Sequence, residues 1–74
     1  MKCMMVSRID DESAIEYTGK LGDALCRVGI DVEFETETAH GLHREGSTFS
    51  KARPDMVVIV GGDGTILRTV QAMD

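Results

Sequence analysis

Residues Val57-Val58-Ile59-Val60 form an unbroken β-branched run that ends in Gly61-Gly62-Asp63-Gly64-Thr65. The pattern predicts strand, tight turn and helix start in quick succession. Four β-branched residues in a row suit a strand buried on both faces, and the glycines allow backbone angles and close approach that a Cβ would forbid. Bare amides at the start of a helix, reinforced by its dipole, favour a phosphate there. Asp63 is out of place in such a cradle, because a carboxylate repels a phosphate unless a metal ion or a reacting hydroxyl accounts for it.

Two familiar glycine loops do not fit. The Walker pattern requires Gly-Lys-Ser/Thr at the helix start, whereas Gly64 is followed by Thr65-Ile66 with no lysine nearby. The dinucleotide fingerprint G-x-G-x-x-G matches Gly62 and Gly64 but fails at Leu67, and it normally follows the first strand of its unit. The plain alternative is a glycine turn in which Asp63 caps the next helix.

Gly61-Gly62-Asp63-Gly64-Thr65 resembles the GGDGT signature shared by NAD kinases, diacylglycerol- and sphingosine-type lipid kinases and, more loosely, 6-phosphofructokinases. The next residues, Ile66-Leu67-Arg68-Thr69-Val70, resemble the NAD kinase continuation. Lipid kinases usually carry an Asn-Glu pair two residues after the Thr, and neither residue occurs between Thr65 and Asp74. The resemblance is specific over residues 55 to 70 and general over what precedes them.

With 74 residues the chain makes one small domain at most. Domains of about that size bury only around 60% of their unfolded surface, so marginal stability is expected. Ile66, Leu67, Val70 and Met73 recur at helical spacing up to Asp74 with no stop signal, which predicts a fragment of a longer protein. The resemblance implies that residues 1–74 are the N-terminal α/β nucleotide-binding segment of a larger two-domain protein. The β-rich C-terminal domain of that family is absent from the sequence.

Thirteen acidic residues face eight basic ones, a net charge of −5, and the basic residues are scattered singly. Nucleic acid is therefore excluded as an expected partner, since phosphate-backbone binding needs clustered Lys and Arg. The apolar runs Cys3 to Val6 and Met56 to Val60 are far shorter than the ~20 residues of a membrane-spanning helix, so no membrane is expected. A cytoplasmic location is expected. Cys3 and Cys26 lack C-x-x-C spacing and read as reduced, buried small hydrophobes.

From the N-terminus, Cys3 to Val6 predicts a first strand leading through Ser7-Arg8-Ile9 into the acidic cluster Asp10-Asp11-Glu12. Asp10 is the expected N-cap, with a Ser13–Glu16 capping box as the alternative. Ala14, Tyr17, Leu21, Ala24, Leu25 and Val28 fall on one helical face, and Gly29 ends the helix at C′. Gly19 and Gly22 weaken that helix by up to about 1 kcal/mol each unless close packing compensates. Sequence leaves that choice open.

Asp31 to Glu35 alternates polar and apolar, as in a half-exposed strand near a sheet edge. Residues 36 to 54 are polar, and a short helix around Ser47 to Ala52 with Phe49 turned inward is expected within them. Pro54 should push Arg53 to extended geometry. The whole predicts a partial three-layer Rossmann-like parallel sheet of strand order 2-1-3, with the glycine loop at the carboxyl end of the third strand.

His40 and His43, spaced i, i+3, fall short of a ligand set for one metal and read as solvated; no residue is assigned to a metal. Arg8 falls on the same rim as the glycine loop, where a guanidinium could meet a nucleotide phosphate or simply pair with a carboxylate. The methionines read as core filler.

The resemblance implies transfer of the ATP γ-phosphoryl group to the 2′-hydroxyl of NAD, giving NADP. Asp63 would accept the proton of the attacking hydroxyl. Gly61, Gly62, Gly64, Thr65 and Leu67 would shape or line the nucleotide site, and Arg68 matches a position that often contacts NAD in the family. Magnesium or another divalent ion would offset charge between the phosphates and Asp63. NAD and ATP, or polyphosphate as donor, are the implied partners, the parent is implied to be a homo-oligomer, and the 74-residue segment alone is expected to be inactive. A lipid kinase segment and a non-catalytic nucleotide-binding module are the alternatives.

Overall fold

The first strand, β1 (Lys2–Ser7), runs through the middle of the molecule, and Cys3, Met4, Met5 and Val6 along it are completely buried. In the computed structural model, which describes residues 1–73, it lies between β2 (Asp31–Phe34) and β3 (Met56–Val60). Both neighbours are parallel to it, giving the order 2-1-3. Cys3 stands opposite Val32 and Met56, and Ser7 opposite Val60. Four helices complete the described residues: α1 (Glu12–Arg27), α2 (Thr36–Gly41), α3 (Phe49–Ala52) and α4 (Asp63–Ala72). Asp74, which the sequence reading places in the middle of the last helix, lies outside the described residues.

The two-residue period of a strand divides β1 between two cores. Cys3 and Met5 pack with Phe34 and Ala39 beneath Leu21 and Leu25 of α1, while Met4 and Val6 pack on the other face with Phe49 and Ala52 of α3. Helices thus cover both faces, the expected three-layer α/β arrangement. The fully buried strand is nevertheless β1 and not β3. Val57 to Val60 stand at a sheet edge and are only partly buried, because a strand's burial follows its place in the sheet order, which its own residues do not encode.

Helix α1 begins one residue later than expected. Asp11 is the N-cap and accepts from the amides of Ser13 at 2.9 Å and Ala14 at 3.4 Å. Asp10 is drawn away by Arg8, whose Nε and Nη2 contact its two carboxylate oxygens at 2.8 and 3.1 Å. The helix end follows expectation, with Gly29 at φ +94° just past the C-cap Val28.

The face that α1 turns to the sheet is also displaced. Its buried residues are Ile15, Thr18, Gly19 and Gly22, with Leu21 and Leu25 at the flank, while Tyr17 is 59% and Val28 74% exposed. The glycines explain the rotation, since the helix approaches closest where side chains are missing. A Cβ on Gly22 would lie 2.6 Å from Cζ of buried Phe34, and one on Gly19 would lie 2.8 Å from Cδ2 of Leu42. Replacing Gly22 by Ala gains about 1 kcal/mol of helix propensity but forces an overpacking cost of about 1–3 kcal/mol. The urea midpoint is therefore expected to fall; a rise would mean that Phe34 can turn aside freely.

Residues 36 to 54 hold more structure than their polarity suggests. Phe49 is buried at the start of α3, as expected, but α2 was not legible, because its N-cap is a glutamate and its second half reads Ala39-His40-Gly41. Arg53 adopts a left-handed conformation, φ 49°, and not the extended one expected before Pro54. Its amide donates to the Phe49 carbonyl at 2.9 Å, so closing the last turn of α3 outweighs the local steric preference. Cys3 is buried but Cys26 is exposed, against the expectation that both are core residues; both are free thiols. Burial pushes the Cys3 thiol above its ordinary pKa. Met4 and Met5 fill the core, whereas Met56 and Met73 are exposed. Among the described residues no helix is long and apolar enough to cross a membrane.

Candidate functional site

Parallel pairing of β1 with β3 brings two chain turns to one rim of the sheet. The amide of Arg8 donates to the Val60 carbonyl at 2.8 Å, extending the ladder one step past β1. At this carboxyl rim the chain leaves β1 for α1 and leaves β3 for α4, with β2 and β3 on opposite sides of β1, the place where open α/β sheets bind ligands.

Gly61 is required by contact. A Cβ there would fall 2.4 Å from Thr65 Oγ1, 2.9 Å from Thr65 Cβ and 3.1 Å from Arg8 Cβ, and φ is +156°. Gly62 is the N-cap of α4, and its carbonyl accepts from the amides of Thr65 at 3.1 Å and Ile66 at 3.2 Å. Thr65 is buried beneath the turn. A Cβ on Gly62 or Gly64 would meet nothing within 4 Å, and neither residue has a left-handed backbone. Nothing in the described fold demands glycine at either position.

Arg8, Gly62, Gly64, Thr65 and Arg68 line one cavity of about 300 Å³, joined by Ile9 and Asp10. Gly61, Asp63 and Leu67 are not among its lining residues, and Leu67 is 59% exposed. Asp63 opens α4 as an exposed residue of its first turn. It takes part in none of the side-chain hydrogen bonds or ion pairs found among the described residues, so the helix is capped by glycine backbone and not by this carboxylate.

The two cations of the cavity are already engaged. Arg8 pairs with Asp10, whose hydrogen bonds raise the guanidinium pKa while its own carboxyl is lowered in return. Arg68 Nη1 lies 3.2 Å from Glu35 Oε2 and 3.0 Å from Glu37 Oε2, and its Nη2 donates to the Ser7 carbonyl at 2.8 Å. Burial pushes the Glu35 carboxyl up, but hydrogen bonds from the Thr38 hydroxyl, Arg68 and the amides of Thr38 and Glu37 outweigh it and hold the pKa below its ordinary value. Asp10, Glu35, Glu37 and Asp63 thus outnumber the two arginines around the rim. A polyanion is repelled here unless it brings a cation.

Sequence reasoning missed Asp10, Ile9 and the Glu35–Thr38 segment. Glu35 extended an alternating strand pattern and looked like a solvated face, yet it is only 6% exposed because the chain turns into α2 at that point. A second cavity of about 460 Å³ adjoins the first across Ile9, with Ile15, Thr36, Glu37, His40 and Gly41 as its other walls. His40 and His43 are exposed, and no group of three or more potential metal-ligating side chains occurs among the described residues.

Fold and rim together define an open α/β segment with a glycine turn at its ligand-binding edge. The chain is 45% identical to the NAD kinase of Methanoregula boonei over 73 residues, and 44% identical to that of Methanoculleus marisnigri over the same length. The NAD kinase of Thermoplasma acidophilum is 31% identical over 71 residues. These alignments cover 99%, 99% and 96% of this chain but 27%, 27% and 26% of the relatives. The chain therefore spans about a quarter of the length of the curated relatives it matches. No protein-family model matches the chain, and no solved structure does.

Proposed function

We propose that this chain is the nucleotide-binding α/β segment of an NAD kinase, which transfers the ATP γ-phosphoryl group to the 2′-hydroxyl of the NAD adenosine ribose. The observation that carries the reading is the pair Gly62 and Gly64: both line the rim cavity, and neither is needed as glycine by the fold. Bare backbone there leaves room for a phosphate or ribose to approach the amides at the start of α4. Similarity to proteins named NAD kinase along nearly the whole chain supports the same conclusion.

In this reading Asp63 accepts the proton of the attacking 2′-hydroxyl. Its lack of a partner among the described residues leaves the carboxylate available, and no structural duty competes for it. Gly61 and Thr65 hold the turn, while Arg8 needs only to exchange Asp10 for a phosphate. The surplus of carboxylates supports a divalent ion such as magnesium arriving on the phosphates of the donor, since the described residues assemble no cation site of their own.

The reading places the chain inside a longer enzyme that completes the site. The test is incubation of that full-length enzyme with labelled ATP, magnesium and either NAD or a diacylglycerol dispersion. Label is expected in NADP; label in the lipid would transfer the assignment to the lipid kinases.

A further inference from the structure

At the end of β1 a closed ring of polar contacts runs through three elements and returns to its starting residue. The Ser7 amide donates to Thr38 Oγ1 at 2.9 Å, and the Thr38 hydroxyl donates to Glu35 Oε1 at 2.6 Å. Glu35 Oε2 pairs with Arg68 Nη1 at 3.2 Å, and Arg68 Nη2 donates to the Ser7 carbonyl at 2.8 Å. Ser7 and Thr38 are fully buried. Glu35 also caps α2 by accepting from the amides of Glu37 and Thr38 at 3.1 and 2.8 Å.

We propose that Glu35 and Thr38 are positioning residues of the site: acting through Arg68, they fix α4, and with it the turn that carries Asp63, against the end of β1. The consequence for catalysis rests on the kinase reading above; the mechanical claim does not. Helix α4 has little else to hold it. Its apolar residues Ile66, Leu67 and Val70 and its C-cap Met73 are exposed, and its buried residues are Thr65 and Thr69. The Thr69 hydroxyl is spent on its own helix, donating to the Thr65 carbonyl at 2.7 Å. Among the described residues, Arg68 makes the side-chain hydrogen bonds that join α4 to other elements. A guanidinium held between two glutamates and a backbone carbonyl is committed to the protein, so Arg68 aligns the turn and does not serve as a free phosphate ligand.

Thr38 separates this proposal from a direct role of Arg68, because it lines neither rim cavity. Thr38→Val keeps the shape and opens the ring, while Thr38→Ser keeps the hydroxyl. In the full-length enzyme, Thr38→Val is expected to speed hydrogen exchange of the amides of residues 62 to 66 about tenfold or more, with α1 and the β1 amides other than that of Ser7 unchanged. It should also lower kcat with little change in KM, and Thr38→Ser should restore both readouts. Arg68→Lys, which retains charge but cannot bridge Glu35 and Ser7 in one plane, should reproduce the exchange change if the valine variant does not fold. Unchanged exchange at residues 62 to 66, or a serine variant that behaves like the valine one, would overturn the proposal. Absence of NADP formation by the unmodified enzyme would refute the kinase reading instead, and the exchange measurement would still decide the ring.

Discussion

Replacing Asp63 by Asn in the full-length enzyme is expected to lower kcat by about 10²–10⁴-fold, the usual loss when a general base is removed. Binding should survive. The side chain keeps its size and one acceptor, while the proton acceptor and its negative charge disappear. The surroundings sharpen this expectation, since a helix-capping role would have made Asn a near-neutral replacement. In the structure Gly62 occupies the N-cap and Asp63 follows it without a bonding partner among the described residues, so little fold stability is at stake. What Asn does lose is the interaction of a charge with the helix dipole, about 0.3–1 kcal/mol at an exposed first turn. With carboxylates already in excess around the rim, NAD affinity should hold or improve slightly. Side-by-side measurement of kcat and NAD affinity decides the role: near-normal turnover would remove the general base, and joint loss of turnover and binding would make Asp63 a ligand-holding residue.

The parts of this molecule that could be read from sequence are those that local chemistry settles. The β-branched run with its glycine break, the two-residue period of β2 and the Gly29 stop each leave a pattern within a few residues, and together they give the 2-1-3 sheet with the turn on its carboxyl rim. What was misread depends on partners distant in sequence. Asp10 loses the N-cap to Asp11 because Arg8 takes it, and the sheet-facing side of α1 is chosen by the contact of Gly22 with Phe34. The same holds in the site. Arg68 was legible as a site residue, and it does line the cavity, but the carboxylates that orient it lie 31 and 33 positions earlier, on a segment whose composition resembled a loop. Glu35 in particular looks solvated in a strand pattern and is buried only because α2 starts beside it. Nothing in its neighbours' identity signals that ring.

Alanine at Gly61 and alanine at Gly64 are expected to fail in opposite ways, although the two residues are three positions apart in one turn. At Gly61 the new Cβ would be 2.4 Å from Thr65 Oγ1 and hard against Arg8 Cβ, the first held in the first turn of α4 and the second by its amide bond to the Val60 carbonyl. The turn must move or the strands must part, at an overpacking cost of about 1–3 kcal/mol, a large share of the stability of so small a domain. At Gly64 the Cβ meets nothing in the chain, and the residue lies in the first turn of α4, where alanine gains up to about 1 kcal/mol over glycine. Thermal stability should therefore fall for Gly61→Ala and hold or rise for Gly64→Ala. Nucleotide binding should follow the reverse logic for Gly64, because its Cβ projects into space that the proposed ligand needs. A loss of about tenfold or more in affinity for NAD is expected, the worth of one or two amide hydrogen bonds to a charged group. Melting curves and NAD titrations on both variants of the full-length enzyme make the comparison. A Gly64→Ala protein that is stable and binds NAD normally would show that the bare backbone of this turn is not where the nucleotide lies, and the functional reading would lose the observation that carries it.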